Sequence, residues 1–489
     1  MANVEHVFVT EGVPDSTFVS PPNYGDILVD IRRPGKPVII EGQSGTGKTS
    51  TVRKILADLG DILKFEFLTP RQPQNLKRIF EISLDMGAGT FIIDDFHRLE
   101  DGEKDRIANI AKVIAEREDR TNLPKLIIIG INNVGADLIH LVPDIAKRLG
   151  IHKIAPGTEK QIGDLVTAGC DLLNVEFENR QLIFEHSQGD YWLAQQLCKT
   201  ICLASRVNRT ASELVKLDWV LEEIIDRVVR SLEPTYDDTV KSFCRGRRFR
   251  PTNDPYFKLL RLVAQQGRSN VDLNELANAN PDVKGSINNI KDKRLSVLIN
   301  EKPECSAYFY YDSQTKNFAL EDPALFFYIR FLDWEKLRER CGFREGEKDY
   351  EYDIAISFSG ENRELAKTMT DMLTKLDVHV FYDRNFEDNY LGGAWSKIFT
   401  EIFVDKSRLV VCLLDENHER KTWPTFERDC FRPRVAAAEV IPIRLDDTVF
   451  VGIPDDINSI RFDFSGKTEG QEQEIEELVL RIAVLLDSL

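Results

Sequence analysis

The chain has no basic surplus. Its 64 Lys and Arg stand against 81 Asp and Glu, a formal net charge of −17 over 489 residues, which argues against broad non-specific attraction to nucleic acid or an anionic membrane surface. No uninterrupted apolar run approaches the ~18 residues that a membrane span needs. The opening MANVEHVFVT has neither a basic n-region nor a long apolar h-region, so no secretory leader is visible. The eight cysteines are dispersed and form no CxxC pair, so a reduced, intracellular chain is the simpler reading. Cys198 and Cys202 lie four apart on a helical pattern with no partner Cys or His pair nearby, so core packing is the expectation for both. No repeat array is visible. These absences together predict a soluble, cytoplasmic protein with no membrane partner. What remains is 42% hydrophobic and 30% charged, a globular composition, and at roughly 150 residues per domain the length implies about three domains.

KPVIIEGQSGTGKTSTVRKILADLG reads as a short apolar strand, a glycine-rich turn and an amphipathic helix from about Lys48, and it fits G-x-x-x-x-G-K-[ST] completely. Gly42, Gly45 and Gly47 allow backbone conformations closed to other residues, so that successive N–H groups can surround a phosphate at the helix N-terminus. Lys48 is placed to reach the outer phosphates, Thr49 to hold Mg²⁺, and Ser50 to complete the first helical turn of an ATP site. Such a loop needs a carboxylate at the end of a neighbouring strand. GTFIIDDFHRLE supplies Asp94 as the Mg²⁺ partner and Asp95 to orient or deprotonate the attacking water, while His97 is expected to be structural.

A further strand, KLIIIGINN, ends in Asn132 and Asn133 and is followed by PDIAKRLGIHKIAP. This order resembles the AAA+ and STAND ATPases. The resemblance implies a γ-phosphate sensor at Asn132 or Asn133 and an arginine finger at Arg148, against the plainer reading of loop-capping amides and a solvated arginine. From Thr158 the apolar spacing turns helical, which suits the small lid of such ATPases. Many lids carry an arginine at a helix start, whereas SQGDYWLAQQLC has none; that departure fits a slowly hydrolysing switch.

KSFCRGRRFRPTNDP then gathers Lys241, Arg245, Arg247, Arg248 and Arg250, either a solvated hinge or a contact for phosphates or an acidic partner. Three helical segments (PYFKLLRLVAQQG, VDLNELANA and SINNIKDKRLSVLI), a hairpin and a closing helix resemble a winged helix. In a DNA-binding winged helix Lys284, Lys291, Lys293 and Arg294 would face the major groove. In ATPases of this class the domain often serves oligomerisation or autoinhibition, and with so acidic a chain that reading is favoured over nucleic acid. EKLRERCGFREGEKDYE, mostly charged, reads as a linker.

From Tyr352 short apolar strands (DIAISFSG, VHVFYD, RLVVCLL, EVIPIRL) alternate with helices, which predicts a parallel, flavodoxin-like sheet with its site at the carboxyl ends of the strands. YDIAISFSGENR, VFYDRNFEDNYLGGAW and SRLVVCLLDENHERKTWPTFERD resemble the three signatures of a TIR domain. In TIR enzymes that cleave NAD⁺ the essential residue is a glutamate four positions after a tryptophan, and Trp423 and Glu427 stand at that spacing. The resemblance implies that Glu427 is catalytic, that Ser357, Phe358 and Ser359 border the nicotinamide and ribose pocket, and that Asp383 to Trp395 forms the loop over it. Leu391-Gly392-Gly393-Ala394 departs from the usual run in that loop.

The expected architecture is a multidomain α/β chain: a P-loop ATPase core over 1–155, a helical lid over 156–235, a winged-helix-like domain over 236–335, a linker over 336–350 and a TIR domain over 351–489. The combination resembles prokaryotic NLR-like antiphage proteins. It implies ATP, or ADP at rest, with Mg²⁺; NAD⁺ as substrate; homo-oligomers through the ATPase and TIR domains; and a phage-derived trigger that the sequence does not name. A non-enzymatic TIR scaffold and a DNA-binding regulator are the alternatives.

Overall fold

The computed structural model describes residues 1–43, 45–60, 64–117, 122–130, 148–344, 348–382, 395–448, 459–464 and 466–488. The chain packs as two units. The first comprises Met1–Tyr236 with Leu320–Phe331, the second Asp237–Ala319 with Leu332–Leu489.

In the first unit, strands β1 (Val38–Glu41), β2 (Phe65–Leu68), β3 (Thr90–Ile93), β4 (Lys125–Gly130) and β5 (Gly150–Lys153) form one sheet of order β2-β3-β4-β1-β5. Every pair is parallel. VIIE, TFII and KLIIIG are near-continuous apolar runs because a parallel sheet is covered on both faces, and their side chains divide between two cores. Ile39, Phe91, Ile93, Leu126 and Ile128 pack with the helix Asp101–Glu116. Val38, Ile40, Ile92, Ile127 and Ile129 pack with the helices Tyr24–Arg32 and Lys48–Leu59. Placing β4 between β1 and β3 sets the P-loop and the carboxylates after β3 at the same sheet end.

A helical part follows. The helix Glu159–Leu173 starts at a capping box in which Thr158 and Gln161 satisfy each other's backbone. With the helices Arg180–Ser187 and Tyr191–Ala204 it buries Ile162, Leu165, Leu193, Leu197 and Ile201. Cys170, Cys198 and Cys202 lie in this core, as apolar packing requires. Two short strands, β6 (Val175–Phe177) and β7 (Val215–Leu217), pair beside it. Phe327, from the returning segment Leu320–Phe331, joins the same core.

The second unit begins with the helices Pro255–Gln266 and Leu273–Ala279 and the sheet of β8 (Asn270–Asp272), β9 (Phe309–Asp312) and β10 (Asn317–Leu320), ordered β8-β10-β9. The third helix expected from SINNIKDKRLSVLI is two, Lys284–Lys291 and Arg294–Glu301. The break at Asp292 and Lys293 turns Arg294 inward. Five further strands follow: β11 (Tyr352–Ser357), β12 (Val380–Phe381), β13 (Ser407–Leu414), β14 (Val440–Arg444) and β15 (Ile460–Arg461). Their order is β12-β11-β13-β14-β15, all parallel, which is the doubly wound flavodoxin-like order. The helix Arg363–Lys375 and the final helix Glu472–Ser488 cover one face. The other face is covered by Phe399, Phe403 and Phe431.

The basic segment is consumed inside this unit. Arg250 Nη1 and Arg294 Nη1 each lie 3.1 Å from Asp353 Oδ2, and Arg294 Nε lies 3.0 Å from Asp377 Oδ1. Arg248 reaches Asp487, Arg247 reaches Glu301, Lys241 reaches Asp237 and Asp238, and the Arg245 guanidinium lies 4.5 Å from the Phe249 ring centroid. Arg294 is 7% exposed and Asp353 1%. The face on which Arg294 would have met a DNA groove therefore packs on the amino-terminal ends of β11 and β12. Asn253 and the His379 backbone N–H complete the shell around Asp353. Burial alone would raise the Asp353 pKa, but Arg250 and Arg294 outweigh it and hold the carboxyl below the usual carboxylate range. The stabilisation this gives is present above the unfolded carboxyl's pKa of about 4 and is lost as pH falls through the depressed folded value. Replacing Asp353 by Ala, which strands two buried cations, is expected to cost about 3–5 kcal/mol in denaturant unfolding. Exposed Asp371→Ala serves as the control and is expected to cost about 0.5 kcal/mol or less.

Candidate functional site

The P-loop connects β1 to the helix Lys48–Leu59. Gly45 and Gly47 take φ of +79° and +82°, a left-handed backbone that other residues adopt at a cost. At Gly45 space is equally decisive, since a Cβ there would lie 1.8 Å from Asp190 Oδ2. Lys48 Nζ donates to the Gly42 and Gln43 carbonyls at 2.9 and 2.6 Å. Thr49 Oγ1 donates to Asp94 Oδ2 at 2.9 Å, so a hydroxyl and a carboxylate oxygen converge from β1 and β3. Such a hard-oxygen pair beside a phosphate cradle fits Mg²⁺, which usually keeps most of its waters and takes one or two protein oxygens. Asp95, in the left-handed region at φ +57°, is held by Arg71 Nε at 2.6 Å and Thr69 Oγ1 at 3.2 Å.

Gly45, Gly47, Lys48, Thr49, Asp94 and Asp95 line a cavity of about 310 Å³ that also includes Val9, Thr10, Tyr191, Trp192, Gln195 and Glu321. Burial pushes the Lys48 ammonium down to about 8, against the pull of Asp94, Asp95, Glu321 and Asp190. Burial and then the Asp95 charge push the Asp94 carboxyl up. Asp190 caps the helix Tyr191–Ala204 by accepting from the Leu193 N–H at 2.9 Å, and burial lifts its carboxyl to about 7. Glu321 comes from the returning segment and meets His97, Arg98 and Arg71. Burial would raise its pKa, but His97, Arg98 and Arg71 outweigh it and hold the carboxyl at about 2. His97, expected to be structural, is 6% exposed and lines this cavity.

Of the sequence candidates, Gly45, Gly47, Lys48, Thr49, Ser50, Asp94 and Asp95 line one cavity, while Gly42 accepts from Lys48. Arg148 is exposed in a turn before β5, and Asn132 and Asn133 lie outside the described residues. Sequence reasoning missed Arg71, Asp190, Trp192, Gln195 and Glu321. Glu321 stands 223 positions from Arg98, and no local pattern marks it.

The second site is at the carboxyl ends of β11 and β13. Ser357, the last residue of β11, donates from Oγ to Glu427 Oε2 at 2.6 Å. Glu427 lies on the helix Thr422–Phe431. His418 Nε2 is 3.1 Å from Ser357 Oγ and 3.5 Å from Cys412 Sγ. His418 is fully buried, and burial, then Arg428, pushes its imidazole down to about 4, so the ring is neutral at pH 7. With Ser357 donating to the carboxylate, a proton on Nε2 makes His418 the donor to Ser357, giving the order His418, Ser357, Glu427. Ser359 Oγ is 3.2 Å from Asp415 Oδ1 and accepts from Asn362 Nδ2 at 3.0 Å, one step behind this line. Phe358 stacks on Tyr382, with 5.4 Å between ring centroids. Trp395 and Trp423 sit on helices, but their side chains and Asp383 lie outside the described residues. His418 was missed in DENHER; its signal was a histidine in the short helix Glu416–Arg420, four positions past the end of β13.

No protein-family model matches the chain. Over 109 residues it is 34% identical to the 3′ cyclic ADP-D-ribose synthase AaTIR of Aquimarina amphilecti, a stretch that is 22% of this chain and 33% of the relative. The chain thus spans about a third of the length of that curated relative. Among solved structures it is similar to the Aeropyrum pernix ORC1 protein in complex with DNA, at 16% identity and a TM-score of 0.35 over 69% of this chain and 96% of that one. It is also similar to Cdc6p from Pyrobaculum aerophilum (14%, TM-score 0.34, 69% and 98%) and to a Thermotoga maritima RuvB mutant (15%, TM-score 0.35, 63% and 94%). The strand orders, with the P-loop after β1 and the paired carboxylates after β3, define the class. The chain joins a P-loop α/β fold similar to that of AAA+ ATPases to a carboxyl-terminal flavodoxin-like domain similar to TIR domains.

Gly45→Ala is expected to destabilise the first unit by about 1–3 kcal/mol, from the left-handed backbone and the Asp190 carboxylate together. Thermal unfolding measures it. Gly60→Ala, at φ +59° with open space around it, carries the backbone cost alone and is expected to lose less.

Proposed function

We propose that the chain is an ATP-regulated NAD⁺ glycohydrolase whose activity depends on self-association. It would cleave NAD⁺ to nicotinamide and ADP-ribose or a cyclic ADP-ribose product, in prokaryotic antiphage immunity. The observation that carries this reading is the Glu427 carboxylate, oriented by the Ser357 hydroxyl at 2.6 Å at the carboxyl end of the TIR-type sheet. The likeness to a cyclic ADP-ribose synthase over 109 residues supports it.

The chemistry asks little of the protein. As the C–N bond between ribose and nicotinamide breaks, its electron pair moves to the ring nitrogen and nicotinamide leaves neutral, so no strong general acid is needed. Positive charge collects on the ribose in an oxocarbenium-like state, as in glycoside hydrolysis. A fixed carboxylate beside that charge stabilises it without reorganising. Ser357, spending its proton on Glu427, holds the carboxylate in one orientation, and neutral His418 supports Ser357. Water then adds to the ribose carbon and loses a proton, giving ADP-ribose. A hydroxyl of the same molecule attacking instead gives the cyclic product.

In the ATPase fold, Lys48 would neutralise the outer phosphates and the P-loop N–H groups would cradle them. Thr49 and Asp94 would hold Mg²⁺, which when bound screens phosphate charge. Asp95, fixed by Arg71, would face the attacking water. Arg148, exposed, is free to reach a second copy, which fits an assembly-driven switch of slow turnover.

Nicotinamide release by the purified full chain, measured over a series of protein concentrations, tests the reading. Release is expected to rise more steeply than linearly and to fall by at least about 10³-fold in Glu427→Ala. Ser357→Ala is expected to lower kcat about tenfold with KM little changed, because it loosens the carboxylate and leaves the pocket in place. Full release by Glu427→Ala would overturn the catalytic role. Undiminished protection of phage-infected cells by Glu427→Ala, with NAD⁺ steady, would favour a scaffold.

A further inference from the structure

Gln195 lies one turn into the helix Tyr191–Ala204 and is 2% exposed. It lines the cavity of Lys48 and Asp94 and also a smaller adjoining recess. That recess is walled by Phe18, Val19, Leu165 and Tyr191 and bordered by Gly47 and Ser50 of the P-loop helix. An apolar slot opening from a phosphate cradle is where a nucleotide base belongs, with a few placed polar groups to choose it.

The orientation of the Gln195 amide follows from its neighbour. Thr17 Oγ1 donates its one proton to the Val7 carbonyl at 2.9 Å, so the hydroxyl has only lone pairs left to offer. Gln195 Nε2 donates to Thr17 Oγ1 at 2.7 Å. Turning the amide over would set two acceptors face to face, so the nitrogen stays on Thr17. Gln195 Oε1 is then left buried, with no hydrogen-bond partner among the described residues. A buried carbonyl oxygen without a donor is costly, and native interiors rarely keep one unless a ligand or water completes it.

We infer that Gln195 reads the base of the bound nucleotide: Oε1 accepts a hydrogen bond from the exocyclic amine of adenine. A base with a carbonyl at the same position sets oxygen against oxygen and is rejected. The inference rests on the proposed nucleotide binding and adds its base specificity. Thr17 acts as a positioning residue, since its committed proton holds the amide in the orientation that reads adenine.

Titration calorimetry of the full chain with Mg²⁺ and ATP, inosine triphosphate or 2′-deoxy-ATP tests it. Inosine triphosphate carries a carbonyl and an N1–H where ATP carries the amine and a bare N1. On the unaltered chain it is expected to bind about ten- to a hundredfold more weakly than ATP, and 2′-deoxy-ATP about as tightly as ATP. Gln195→Leu is expected to bring ATP and inosine triphosphate to similar affinities. Thr17→Val, which releases the amide to turn, is expected to narrow the gap without deleting the glutamine. Lys48→Ala is expected to weaken all three ligands together. Equal binding of ATP and inosine triphosphate by the unaltered chain would overturn the inference and leave nucleotide binding standing. So would a preference for ATP that survives both substitutions, or a Gln195-dependent loss confined to 2′-deoxy-ATP, which would assign the amide to the ribose. Binding of none of the three would overturn the nucleotide reading and the inference with it.

Discussion

Parallel strands whose two faces are both covered leave only their ends for polar chemistry. In the first unit the carboxyl ends of β1 and β3 carry Lys48, Thr49, Asp94 and Asp95, because β4 between them keeps both in register. In the second unit the ends of β11 and β13 carry Ser357, Asp415 and His418, with Glu427 brought over them by the helix Thr422–Phe431. The same direction leaves the amino-terminal ends of β11 and β12 for other work. There Asp353 and Asp377 bind Arg250 and Arg294, and this ionic contact is separated from Glu427 by the length of a strand.

The two ends of that strand hold their carboxyl groups in different ways. Asp353 is matched by fixed cations, so it stays ionised and rigid. Glu427 is met by a hydroxyl that can turn, itself backed by an imidazole that burial keeps neutral. Under the proposed function, the Ser357 hydroxyl would orient the carboxylate that faces an oxocarbenium-like ribose. In the first unit burial moves three groups round the P-loop, the Lys48 ammonium down and the Asp94 and Asp190 carboxyls up.

Local spacing made the P-loop, the carboxylates after β3 and the Trp423–Glu427 pair readable, since each is a short pattern tied to one turn or one helix. The long apolar strands were readable for the same reason. Strand β2 and the two-residue β15 were not, because neither FEFL with its exposed Phe65 nor a pair of residues carries a period. The final helix Glu472–Ser488 went unread beside the TIR motifs, although it buries Ile475, Leu478 and Ile482. Glu321, Gln195 and His418 act through contacts between distant segments, which only the fold brings together. The basic run from Lys241 to Arg250 shows the converse: its charge is plain in the sequence, while the acidic partners that consume it lie as far away as Asp487.

Under the proposed function, nucleotide at the Lys48 site governs glycosidic cleavage at the Glu427 site within a single chain. The most direct measurement follows nicotinamide release and assembly mass in the same sample, with ATP, with ADP and with neither, for the unaltered chain and for Lys48→Ala. Release and mass are expected to rise together with ATP in the unaltered chain and both to stay low in Lys48→Ala. Release by Lys48→Ala equal to that of the unaltered chain, at equal protein concentration and with any nucleotide, would contradict that coupling.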